Sequence, residues 1–235
     1  ALLFLFSLIT SCASSVKQYD NFHSILGTSF GWDQDVSGEM TILIDARIGD
    51  LSIRHVKREK NYCKSGFMYH IEMSGSIGPD STAAMKRILD QTPQCEHIDG
   101  KTTVTVDIFM NSGGGYLEDG YEMGKLFKNF KNSRTVITGG QQCSSSCAIA
   151  FLGGQYRDMQ FDSKILFHAP YTKISDRSID CSDRGQVSEL KKYFSLTLNK
   201  ENGDFLHRRT MDYCSDSTGW ILNADGAKLF GITNI

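Results

Sequence analysis

The chain has 235 residues, is 40% hydrophobic, and sets 25 Lys and Arg against 27 Asp and Glu for a formal net charge of −2. That length supports one sizeable core, and 3 prolines with 22 scattered glycines exclude a disordered or collagen-like chain. The near-neutral balance gives no electrostatic footprint for nucleic acid, and no nucleic-acid partner is expected.

The apolar run Ala1-Leu2-Leu3-Phe4-Leu5-Phe6-Ser7-Leu8-Ile9-Thr10 is too short for a transmembrane helix and suits the core of a secretory signal peptide. Two cleavages fit the small residues that follow it. Ser11 and Ala13 satisfy the rule for ordinary signal peptidase, while Ile9-Thr10-Ser11-Cys12 resembles a bacterial lipobox, in which Cys12 would carry lipid and tether the protein to a membrane. The lipobox is preferred over simple cleavage, and both over a buried N-terminal element, which seldom ends in such a cluster. Residues 1–13 are therefore read as a signal and residues 14–38, polar and without sustained period, as a leader into a domain spanning 39–235.

Met40-Thr41-Ile42-Leu43-Ile44-Asp45 and Phe67-Met68-Tyr69-His70-Ile71-Glu72-Met73 read as strands, and the basic stretch from Arg54 to Lys60 between them as a solvated strand end or turn. Ser81 to Gln91 has helical spacing with Asp80 or Ser81 available as N-cap. Thr102 to Met110 predicts a strand running straight into Asn111-Ser112-Gly113-Gly114-Gly115, with a helix over Leu117 to Phe130 behind it. Thr135 to Thr138 is a short strand, Ser146 to Gly153 a buried helix, Lys164 to Phe167 a strand delivering His168, and 184–212 one long helical stretch. Alternation of strand and helix with short connections predicts an α/β fold with a mostly parallel sheet.

Three segments carry chemistry. Consecutive glycines after a strand free backbone N–H groups to meet an oxyanion, although a plain tight turn would need the same residues. Among Ser144, Ser145 and Ser146 one hydroxyl could attack at a strand-to-helix turn, while a serine there is more often only a cap. His168 at a strand end could accept the proton or be a structural histidine. The conjunction is more specific than its members, because acyl transfer needs hydroxyl, base and oxyanion donor together.

Of seven cysteines, setting Cys12 aside leaves an even number in a chain with an export signal, which favours disulfides. Proximity along the chain suggests Cys63–Cys95, Cys143–Cys147 and Cys181–Cys214. A zinc site is disfavoured, since no Cys-x-x-Cys pair exists and the histidines do not cluster with the cysteines.

From about residue 69 to 235 the chain resembles the ClpP/crotonase-fold serine proteases, and within them an exported, cysteine-containing bacterial branch. The resemblance rests on Ile71 to Ile77, on Ile108-Phe109-Met110-Asn111-Ser112-Gly113-Gly114-Gly115 with Gly113 where the family usually has proline, and on Gly120 in the next helix. It rests further on Gly140 to Gly154 around the serines, on Ile165-Leu166-Phe167-His168-Ala169-Pro170, and on the ending Leu222 to Ile232. It implies a ClpP/crotonase-like α/β fold with repeated β-β-α units and a helical C-terminal segment. It also implies Ser145 as nucleophile, His168 as base, and an oxyanion hole from the N–H groups of Gly115 and Ser146, supported by Gly114. The family's aspartate aligns near Gly219, which cannot orient a histidine; Asp216 is favoured in its place, with Asp212 as the alternative.

The implied activity is peptide hydrolysis on peptide or protein substrates, with no metal or organic cofactor. The implied location is the periplasm, free or lipid-anchored, with homo-oligomers through residues 184–212. A catalytically silent crotonase-fold protein that binds peptides or a partner is the alternative. An acyl-CoA enzyme is disfavoured, because export separates the chain from CoA.

Overall fold

A computed structural model describes residues 40–59, 63–96, 98, 106–176 and 178–235. The signal, the leader and Cys12 lie outside the described residues. None of the described helices is long and apolar enough to cross a membrane.

The domain opens with a β meander, β1 (Met40–Ile48), β2 (Leu51–Glu59) and β3 (Phe67–Ile77), joined antiparallel. Of the basic stretch expected as a solvated strand end or turn, Arg54 to Glu59 form the end of β2, where several residues are buried instead of solvated. Alternate β2 residues point into the core, so Leu51 and Ile53 are fully buried and His55 is 3% exposed. Thr92 Oγ1 donates to Ile88 O and therefore accepts from His55 Nε2 at 3.2 Å. Burial pulls the His55 pKa down, which keeps the ring neutral inside the core. On the other face Arg54 pairs with Glu72 at 3.2 Å, so the charges mark cross-strand partners instead of a loop.

After β3 come α1 (Pro79–Asp90), the long strand β4 (Val106–Gly115) and α2 (Leu117–Asn129). The N-cap of α1 is Gly78, two or three residues earlier than the expected Asp80 or Ser81, because Pro79 takes the first helical position. Ser81 serves the cap from inside the helix, its Oγ accepting from Gly78 N–H at 3.0 Å. Next follow β5 (Ser133–Ile137), β6 (Gln142–Ser144), α3 (Ser146–Phe151), β7 (Tyr156–Met159) and β8 (Lys164–Phe167). A small hairpin, β9 (Thr172–Ser175) with β10 (Ser178–Asp180), precedes α4 (Arg184–Thr197), α5 (Lys200–Met211), β11 (Trp220–Leu222) and α6 (Ala224–Leu229). The stretch expected as one helix is two, because Asn199 starts α5 by accepting from Asn202 N–H at 2.8 Å.

Among the described residues the main sheet has 9 strands in the order β1-β2-β3-β4-β6-β8-β11, with β5 on β4 and β7 on β5. From β3 to β8 the pairings are parallel, as the α/β pattern requires. Strand β4 serves two neighbours: Val106 to Phe109 pair with β5, whereas Ser112 pairs with Cys143 of β6. That divergence carries the glycine-rich end of β4 toward the serines.

Ile71, Met73, Ile108 and Met110 face Met85, Phe127, Phe151 and Phe194 of the helices in one core. Helices α2 and α3 pack backbone to backbone. A Cβ on Gly120 would stand 2.7 Å from Ser146 O, and one on Gly153 would stand 2.0 Å from Gly124 O.

Arg157, 8% exposed, clamps the chain end. Its guanidinium donates to Ile232 O at 2.6 Å, Gly154 O at 3.2 Å and Gly231 O at 3.4 Å, and burial lowers its pKa to about 10. Arg157→Ala leaves these carbonyls without their charged donor. It is expected to cost about 2–4 kcal/mol in urea unfolding, whereas a loss under 0.5 kcal/mol would contradict the clamp.

Candidate active site

Strand β4 ends in two glycines held in left-handed backbone, Gly114 at φ 106° and Gly115 at φ 149°. Neither tolerates a side chain: a Cβ on Gly114 would stand 2.6 Å from Ser145 Cβ, and one on Gly115 would stand 2.0 Å from Ile77 O. Gly113 by contrast faces open space. Gly114 N–H is taken by Ser112 Oγ at 3.0 Å, and Gly115, paired with Ile77 of β3, lines the cleft.

The three serines separate by role. Ser144 ends β6, and its Oγ accepts from Gln142 Nε2 at 2.6 Å. Ser146 starts α3 with its hydroxyl buried and unpartnered among the described residues. Between them Ser145 adopts φ 56° and ψ −126°. For a residue with a Cβ that conformation costs about 1–3 kcal/mol and persists only where surroundings enforce it. Here Ser145 N–H is tied to Leu166 O at 2.9 Å, Ile149 N–H to Ser145 O at 3.1 Å, and a Cys143–Cys147 disulfide spans the turn. Although Ser145 occupies the N-cap position of α3, its hydroxyl makes no cap hydrogen bond. A strand, a strained serine and a helix in succession have the backbone geometry of a nucleophile elbow.

His168 follows β8, the parallel neighbour of β6. Its Nδ1 lies 2.8 Å from Ala169 O. A carbonyl can only accept, so Nδ1 carries a proton, and of the two neutral tautomers this contact selects the one with a bare Nε2, which a general base needs. Ser145, His168 and Gly115 line one cleft of about 640 Å³, between the sheet edge and helices α2 and α4.

The candidate carboxylates do not join them. Asp216 is exposed in the turn after α5, and Asp212 pairs with Arg209 at 3.0 Å. The segment does run beside the histidine strand, since Ala169 N–H donates to Tyr213 O at 2.9 Å and a Cβ on Gly219 would meet Phe167 O at 2.6 Å. Among the described residues no carboxylate stands within ion-pair distance of His168. Nor is there any cluster of His, Cys, Asp and Glu that could hold a metal among those residues.

Two further disulfides, Cys63–Cys95 and Cys181–Cys214, tie the β2–β3 connection to the segment after α1 and the residue after β10 to the segment after α5.

Residues 75–234 match the Clp protease family. The chain belongs to that family. Solved structures show the same fold. The ClpP1 of Listeria monocytogenes superposes with a TM-score of 0.52 at 17% identity, covering 70% of this chain and 88% of that one. The membrane-bound stomatin-specific protease 1510-N, in a mutant complexed with a substrate peptide, gives 0.55 at 14% identity, covering 69% of this chain and 71% of that one. No curated protein matches the chain by sequence.

Within this Clp protease family member the cleft holds residues that the motif reading passed over. Glu118 and Tyr121 stand three apart on α2, and Gln186, Glu189 and Leu190 share a face of α4, so both helices turn one face toward Ser145. Spacing along each helix could have shown the faces. That the faces oppose each other is a property of the fold.

Proposed function

We propose that this protein is an exported serine peptidase that cuts peptide bonds through an acyl-enzyme on Ser145. His168 Nε2 takes the Ser145 proton as Oγ attacks the carbonyl carbon, and the developing oxyanion meets the N–H groups of Gly115 and Ser146. Ser146 N–H is available because the first helical position has no intrahelical acceptor. The imidazolium then returns its proton to the leaving amine, and water, deprotonated by the same ring, releases the acyl group. Ala169 O fixes the tautomer. Asp216 is proposed to approach His168 when substrate orders the turn after α5, adding a charge that stabilises the imidazolium.

One observation carries this reading: a serine in strained backbone, its hydroxyl spared from capping, shares a cleft with a histidine in the required tautomer. The three disulfides support export, since such bridges persist in oxidising compartments. A lipid anchor at Cys12 and self-assembly through α4 and α5 complete the proposal. The competing reading, a silent peptide-binding module, draws on the carboxylate not found beside His168.

Hydrolysis of a fluorogenic peptide mixture by the purified, oxidised protein separates the two. Ser145→Ala and His168→Gln are each expected to lower the rate by about 10⁴-fold or more. A wild-type rate no higher than that of Ser145→Ala would favour the silent module.

A further inference from the structure

The cleft beside Ser145 has apolar walls and unpaired acidic rims. Leu117, Ile149 and Leu190 supply carbon surface, while Glu118 on α2 and Glu189 on α4 stand at its sides. Neither glutamate forms an ion pair among the described residues. The lysine at the cleft, Lys173, is already partnered by Asp176 at 3.4 Å. In the cleft wall Tyr121 is 2% exposed, and its hydroxyl has no hydrogen-bond partner among the described residues. Burying a polar group unpaired costs stability, so a folded chain that keeps one invites a partner from outside it. Burial first, and the charge of Glu189 second, hold that hydroxyl protonated well above its ordinary range.

We propose that this cleft selects peptides with a lysine or arginine side chain at the residue whose carbonyl Ser145 attacks. The methylene stem lies along the apolar wall, and the cationic head sits between Glu118 and Glu189 within reach of the Tyr121 oxygen. Long basic side chains suit such a site because their stems are hydrophobic and their heads carry donors only. An aliphatic side chain would fill the same wall but leave both carboxylates and the hydroxyl unanswered. An acidic one would meet like charge.

The inference rests on the peptidase reading of the site, and the test keeps the two apart. The full, oxidised protein is treated with peptidyl diphenyl phosphonates identical except for lysine, leucine or glutamate at the reacting position, and in parallel with a small uncharged fluorophosphonate. Labelling rates are read by intact mass. The lysine probe is expected to react at least fivefold faster than the leucine probe, and the glutamate probe slowest. Glu118→Gln and Glu189→Gln should each lower the lysine-to-leucine ratio about two- to fivefold, the range set by one partly solvated charge pair. The Glu118→Lys, Glu189→Lys double variant should place the glutamate probe ahead of the lysine probe. Equal or faster reaction of the leucine probe, or a ratio unmoved in the variants, overturns the subsite while fluorophosphonate labelling leaves the peptidase standing. Failure of the fluorophosphonate itself overturns both.

Discussion

Gly114→Ala is expected to silence the peptidase in a chain that still folds. The added methyl would stand 2.6 Å from Ser145 Cβ, 2.8 Å from Ser144 O and 3.2 Å from Ser145 Oγ. None of these atoms can swing away as the tip of a long side chain could. Residue 114 also sits at φ 106°, where any side chain adds strain of about 1–3 kcal/mol. The cheapest relief pushes the nucleophile off its turn, and displacement of a reacting group by about 1 Å costs on the order of 10²-fold in rate. Peptide hydrolysis should therefore fall at least 10²-fold, with the far-UV circular dichroism spectrum retained. Gly113→Ala next door, facing open space, should stay within about twofold of wild type. A Gly114→Ala enzyme of near-normal rate would show that the elbow does not depend on this contact.

The second large effect is on stability. Cys63–Cys95 and Cys181–Cys214 close loops with sequence separations of 32 and 33, and Cys143–Cys147 closes one of 4. Loop-closure entropy assigns about 4 kcal/mol to each long bridge and about 2 kcal/mol to the short one. Set against a net stability of about 5–15 kcal/mol for an ordinary domain, removing all three should leave the chain near or below the folding threshold. Protein reduced in denaturant and returned to buffer with reductant is expected to melt at least about 20 °C lower than the oxidised form, or not to fold. A shift below 5 °C, with all thiols titrated as free, would contradict the assignment. The short bridge acts differently from the other two. Both its cysteines are fully buried and it joins β6 to α3 across Ser145, so Cys143→Ala with Cys147→Ala should lower the hydrolysis rate by more than its share of stability predicts.

Much of this was legible along the chain because the decisive features are local. A strand running into glycines, a serine between strand and helix, and a histidine closing a strand each occupy a few consecutive residues. The parallel sheet orders them at one edge. The fold class followed from alternating strands and helices for the same reason. The basic stretch is a strand end, as expected, but charge there is no sign of solvent. Arg54 to Glu59 run to the end of β2, and the charge of Arg54 is answered by Glu72 and Asp45 in the strands alongside, which no local window contains. Gly78 displaced Asp80 and Ser81 as the cap because Pro79 fixes the first turn, a signal present in the sequence and outweighed there by side-chain preference. The atom beside His168 Nδ1 is a backbone carbonyl, which no residue type announces. Likewise the acidic cleft walls arise only when α2 and α4 face each other across it.

The account depends on Ser145 being a reactive nucleophile. Treatment of the oxidised protein with a fluorophosphonate, followed by proteolysis and mass spectrometry, tests that directly. The account predicts a single phosphonylated residue, Ser145, with labelling lost in Ser145→Ala and slowed in His168→Gln. A folded, oxidised protein that takes up no label, or whose label persists in Ser145→Ala, would contradict it.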